Sequence, residues 1–376
     1  MCALKSESVL VWMANRWSYV ESTPGTILRI KNASKFAENT MGFKDQPGEL
    51  VELEWKTIFK LRPTLIEINH GRNPCKELVD VLEQNYDATE ISTFFEKVKV
   101  LSLHMADISG EDLIKLLDKF SLLAAFSFSE TRFSSDDWSK ILKKLSELHV
   151  RGIDISDNVI THVSENLNVS LMKLSGNPGI DVKHFKNGLS FVTVTALVVQ
   201  ELLFTGETDA EQFLEVLPSS FPRLQTLVWD WNLVDPELSL DDRTKNIVSK
   251  LIDVNQKLNL SSLAIIAYTP SPEHKSAMSE VARLLSTSSL PNVQLHQFAS
   301  KGLSDGMANF SLIVAGDNEK VRKELIDMYI TDRSTIPPMG KLLRLCDEDI
   351  VPIYPAITID FGGFDKNHIR QLFSST

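Results

Sequence analysis

Val150-Arg151-Gly152-Ile153-Asp154-Ile155-Ser156-Asp157-Asn158-Val159-Ile160 is the stretch that decides the fold of this chain. Apolar side chains stand at its first, fourth, sixth and eleventh places, with an asparagine at the ninth. Leu224-Gln225-Thr226-Leu227-Val228-Trp229-Asp230-Trp231-Asn232-Leu233-Val234 repeats every one of those choices. Further copies run Val98-Leu101-Leu103-Ile108, Leu123-Phe126-Phe128-Phe133 and Val194-Leu197-Val199-Phe204. Looser ones are Pro63-Ile66-Ile68, Val169-Met172-Leu174-Ile180, Leu260-Leu263-Ile265 and Leu290-Val293-Leu295. The mean step between copies is about 28 residues, the size of one supersecondary unit that must stack on its neighbours to bury its inner face.

The fourth and sixth places point to one side of an extended chain, because successive side chains alternate. Each copy therefore predicts a short strand, and the residues that follow predict a helix. Leu113, Ile114, Leu116, Leu117 and Phe120 form an apolar stripe at helical spacing within Glu111–Phe120. Ser134 or Ser135, followed by Asp136, Asp137 and Trp138, reads as a capped helix start with acids in the first turn. Glu211–Leu217, Thr244–Leu258 and Ser276–Leu285 repeat the arrangement. Asparagine at the ninth place, where it can satisfy backbone groups freed as the strand turns away, is found at Asn158, Asn177 and Asn232 only.

A strand and a helix per copy at this length resembles the leucine-rich repeats, in particular the cytosolic ribonuclease-inhibitor-like class, of which this chain would be a divergent member. The resemblance covers roughly residues 60–300. It implies an α/β solenoid, a horseshoe with parallel strands on its concave face and helices on its convex face. Residues 1–60 then form an N-terminal cap or degenerate repeat, 61–300 the repeats, and 301–376 a last degenerate repeat and C-terminal cap. Within the first segment Ser8–Val20 suggests a short amphipathic helix, Ile27–Ile30 a strand and Glu38–Gly48 a loop. Within the last, Phe310, Leu312 and Val314 suggest a strand, Asn318–Tyr329 a helix, and Ile350–Phe361 a terminal strand or cap.

The formal net charge of −11 argues against a basic surface for nucleic acid or anionic lipid and suits a basic protein partner. Three cysteines, Cys2, Cys75 and Cys346, form no disulfide framework, so a reducing compartment, cytoplasm or nucleus, is expected. Val9–Met13 is too short for a secretory core, and no stretch approaches the length of a membrane span.

No catalytic or phosphate-binding motif appears, and none of the eight histidines stands at a metal-ligand spacing. The expectation is a protein with no cofactor, no metal and no catalysis. A binding surface is predicted instead on the concave face. The fifth place of the frame carries Glu67, Ser102, Ser127, Asp154, Lys173, Val198, Val228, Ala264 and Gln294 in turn, and Ile266 stands at a seventh place. The run through Val198, Val228, Ala264 and Ile266 predicts an exposed apolar patch, edged by Asp230, Trp231 and Glu201, and such patches mark partner sites. Val198, Val228, Asp230, Trp231 and Ile266 are the candidate contact residues. The function expected is a protein-binding scaffold or adaptor. Alternatives are a ubiquitin-ligase substrate receptor, which would meet a ligase adaptor, a sensor-type region related to nucleotide-binding immune receptors, and an enzyme in the irregular C-terminal 75 residues, which hold Cys346 and His368.

Overall fold

The computed structural model describes residues 9–13, 16–23, 27–32, 63–69, 74–104, 108–129, 133–155, 163, 167–176, 181–202, 209–231, 242–288, 290–301, 307–331, 337, 339–346 and 356–360. They form two compact units, one of residues 1–150 with 351–376 and one of residues 151–350. Asn158, Asn177, Asn232, Glu38–Gly48 and the backbone-turn places of several copies lie outside the described residues.

In the first unit, strands β4 (Leu65–Asn69), β5 (Val100–His104) and β6 (Ala125–Ser129) are the first three copies of the frame. They pair in parallel with the fourth places aligned, Ile66 to Leu101 to Phe126. Helices α1 (Pro74–Asn85), α2 (Ala88–Phe95), α3 (Gly110–Leu117) and α4 (Ser135–Glu147) follow the strands. The expected caps are present. Ser134 Oγ accepts from the Asp137 amide at 3.2 Å, and Asp87 and Glu90 close a reciprocal capping box on α2. Such caps contribute about 1 kcal/mol each. Trp138 of α4 packs against Phe128 of β6 at 4.6 Å between ring centroids, so the sixth place of one copy meets the helix that follows it.

The second unit continues the frame with β7 (Gly152–Ile155), β8 (Leu171–Gly176), β9 (Ala196–Leu202), β10 (Thr226–Asp230) and β11 (Ser262–Tyr268). Its helices are α5 (Lys183–Lys186), α6 (Asp209–Ser220), α7 (Asp242–Leu258) and α8 (Pro272–Ser286). Ile153, Met172, Leu197, Leu227 and Leu263 lie in one row across the five strands. Phe213 of α6 stacks on Trp229 at 6.4 Å, which puts the fourth and sixth places against the helix layer.

One backbone device recurs at every join described within a unit. The carbonyl at the second place accepts two amides from the next copy, those at its second and third places. Thr64 takes Lys99 and Val100, Lys99 takes Ala124 and Ala125, and Arg151 takes Ser170 and Leu171. Ser170, Thr195 and Gln225 serve the following copies in the same way, at 2.8–3.1 Å. Successive copies thus share geometry as well as pattern. His149 and Asn259, each just before a first place, both adopt positive φ (55° and 52°), ending the preceding helix with a left-handed residue.

Three expectations are corrected. Ser8–Val20 is not helical. It holds β1 (Val9–Met13) and the start of β2 (Arg16–Thr23), which pair antiparallel, with Trp12 opposite Trp17. Val9, Val11, Trp12, Trp17, Tyr19 and Val20 favour a pleated strand. The Ile27–Ile30 strand is present as β3 (Ile27–Asn32), antiparallel to β2.

The second correction concerns the ninth copy. Its strand, β12 (Gln294–Lys301), does not extend the parallel stack. It forms an antiparallel pair with β13 (Met307–Ala315), and β13 is the strand that pairs with β11, also antiparallel. The few residues between β12 and β13 are too short for a crossover helix, which a parallel connection needs. Third, β14 (Ala356–Asp360) does not follow the last repeat. It lies in the first unit between β3 and β4, parallel to both. The sheets therefore run β1-β2-β3-β14-β4-β5-β6 in the first unit and β7-β8-β9-β10-β11-β13-β12 in the second. Parallel pairing holds for β3-β14-β4-β5-β6 in the first unit and for β7 to β11 in the second, and the remaining pairs are antiparallel.

Candidate functional site

Four of the five candidate residues, Val198, Val228, Asp230 and Ile266, lie on the second unit's sheet on the side opposite α6. Register brings them together as the sequence implied: Val198 beside Val228, Val228 beside Ala264, and Asp230 beside Ile266. Exposure is another matter. Val198 and Trp231 are 0% exposed, Val228 1%, Ile266 2% and Asp230 7%. The expected open patch is a closed one.

The C-terminal part of the unit packs on this sheet. Helix α9 (Glu319–Ile326), capped by Asn318 at Val321, follows β13 and packs on β11 and β13. A π-helical turn, Asp327–Thr331, continues it. Tyr329, on that turn, is fully buried, and both burial and the neighbouring Asp230 hold its phenol above the usual range. The next described helix, α10 (Met339–Leu342), and a 3-10 turn (Leu343–Leu345) reach β7. Gly152, at the third place of its copy, admits them. A Cβ there would stand 2.8 Å from Leu343 Cδ2 and 3.3 Å from Met339 Cε. Leu325, Met328, Met339, Leu342, Leu343 and Leu345 are all buried. Arg344 reaches back to Glu324 at 3.4 Å, tying the two ends of the covering segment.

A sheet covered on both faces explains the sequence differently. Ala196-Leu197-Val198-Val199 and Leu263-Ala264-Ile265-Ile266-Ala267 are continuous apolar runs, as in parallel strands buried on both sides. Leu101-Ser102-Leu103 and Phe126-Ser127-Phe128 alternate. Ser102 and Ser127 are buried as well, so only the apolar runs of β9 and β11 were a sign of the second layer. Trp231 also falls, by alternation along the chain, with Leu227 and Trp229 rather than with Val228.

Under this cover lies an ion pair that the sequence did not single out. Lys173 Nζ of β8 stands 3.2 Å from Asp154 Oδ2 of β7, with the two side chains 7% and 4% exposed. They occupy the fifth place of adjacent copies and are opposite in register. Only their frame position could have signalled it, and that position was read as solvent-facing.

Cys346 follows the 3-10 turn. Burial pushes its thiol up to about 11, against smaller opposing effects from the Ser170 and Thr195 hydroxyls and the Arg151 charge. A thiol so far above neutrality supplies little thiolate. Alkylation of Cys346 at neutral pH should be roughly a hundredfold slower in the native chain than after denaturation. Peptide mapping after timed iodoacetamide labelling measures this, and equal rates would contradict the burial. Among the described residues no group of histidines, cysteines and acids is placed to hold a metal ion, and no helix is long and apolar enough to cross a membrane.

The aligned copies, shared carbonyl device and alternating strands and helices define a repeat protein of α/β architecture. A family described as a repeat of unknown function (DUF8380) matches residues 9–366, and the chain belongs to it. No curated protein matches the chain.

Proposed function

We propose that this chain is a non-catalytic protein-binding scaffold of leucine-rich-repeat type, working in the cytoplasm or nucleus. The observation that carries the reading is the in-register stacking of copies of one strand frame, three in the first unit and five in the second, an architecture that builds long surfaces rather than a single catalytic cleft. The free cysteines Cys75 and Cys346 suit a reducing compartment. With the second unit's strand face closed, the helix layer is the surface offered to a partner. Its charges already link successive helices within each unit: Lys119 to Glu83, Lys144 to Asp118 and Lys250 to Glu215, at 2.6–2.7 Å.

Affinity purification with mass spectrometry tests the reading, comparing the wild-type chain with a Lys140→Glu/Lys143→Glu variant. Both lysines are exposed on α4, so folding is retained. A defined protein partner, held more tightly after the charge reversal because a basic partner then meets a more acidic helix layer, is the expected result. The absence of any reproducible partner overturns the proposal. Recovery of a ubiquitin-ligase adaptor with both forms would instead favour the substrate-receptor reading.

A further inference from the structure

The second unit's sheet ends on β12, an eight-residue strand with nothing beyond it in the strand order. One side of β12 pairs with β13 without interruption, from Gln294 opposite Val314 to Lys301 opposite Met307. Its other side pairs with no strand among the described residues and presents backbone amides and carbonyls that another extended chain can satisfy as a ladder. Soluble proteins usually blunt such an edge with charge, proline or a bulge. From Gln294 to Ser300 this strand has no proline and no acid, lysine or arginine, and its pairing shows no bulge. Three aromatic rings lead out to it across one face. Tyr268 of β11 lies 5.5 Å from Phe310 of β13, and Phe310 stacks on Phe298 of β12 at 5.8 Å. Tyr268 remains 40% exposed.

We infer that β12 is a self-association edge, pairing antiparallel with β12 of a second copy across a two-fold axis at Gln297. The occupant follows from the strand's own complementarity. Turned about Gln297, the strand sets His296 opposite Phe298, Leu295 opposite Ala299 and Gln294 opposite Ser300. No like charges meet, apolar residues face each other, and the aromatic row continues into the partner. A two-fold pairing consumes the edge on both copies and so closes at a dimer. Because each chain carries a net charge of −11, association strengthens as salt screens the long-range repulsion. This inference is independent of the scaffold reading.

Sedimentation velocity of the full chain over a concentration series tests it, with two single variants at Gln297. This side chain is exposed, so neither variant disturbs the fold. Gln297→Glu and Gln297→Lys each set like charges face to face across the axis and should weaken the dimer about fivefold. Mixing the two variants in equal amounts should restore association to at least the wild-type level, since opposite charges then meet. A wild-type chain that stays monomeric at every concentration overturns the inference. So does a dimer indifferent to both variants, which would use another surface, or one that the mixture fails to restore.

Discussion

Replacing Trp231 by alanine is expected to lower the unfolding free energy by about 3–5 kcal/mol, the range for emptying the space of a fully buried large aromatic side chain. Trp231 is 0% exposed. Its alanine variant therefore tests burial against the opposite expectation, that this tryptophan stands on an open binding face and can be removed at little cost. Urea unfolding followed by circular dichroism gives the answer, and a loss under about 0.5 kcal/mol would return Trp231 to the surface. Tyr329→Phe supplies the control. The Tyr329 hydroxyl is buried with no hydrogen-bond partner among the described residues. Its removal should be neutral or slightly stabilising, because an unsatisfied polar atom is lost while the ring stays.

Lys173→Met should cost about 3–5 kcal/mol, because the buried Asp154 carboxylate would lose the positive charge beside it. The more telling variant is the double one, Asp154→Leu with Lys173→Met. Removing both charges removes both desolvation penalties, so its stability should return close to wild type or exceed it. The same urea series measures both. Equal losses in the single and double variants would mean that packing, not charge, is what the pair contributes. The pair also bears on which copies can stack. Neighbouring fifth places hold Val198, Val228 and Ala264, so a slip of β8 by one copy would set Lys173 among apolar side chains, at a desolvation cost that disfavours the misfit.

The frame was legible in eight copies because it is local. Ile66, Leu101, Phe126, Ile153, Met172, Leu197, Leu227 and Leu263 all occupy the strands their spacing implies, aligned within each unit. Helix starts at Ser134 and Asn318 were legible for the same reason, since a capping side chain and the amides it satisfies lie within one turn. The candidate site was legible only in part. The adjacency of Val198, Val228 and Ala264 followed from the frame, but their exposure did not. The sequence reading took the fifth place as outward in every copy, although the continuous apolar runs of β9 and β11 argued for cover on both faces.

The sequence by itself determined the repeat, the strand positions and which side chains share a face, because each is set by a period of two or by a turn of helix. Tertiary structure decided what lies over each face and which strand sits at each edge. Helix α9 packs on β11 and β13 and α10 on β7, β13 separates β11 from β12, and β14 enters between β3 and β4. These outcomes depend on partners far away along the chain. Long-range pairing is chosen by total burial and backbone satisfaction against the entropy of closing the connecting loop, and no local pattern records that balance.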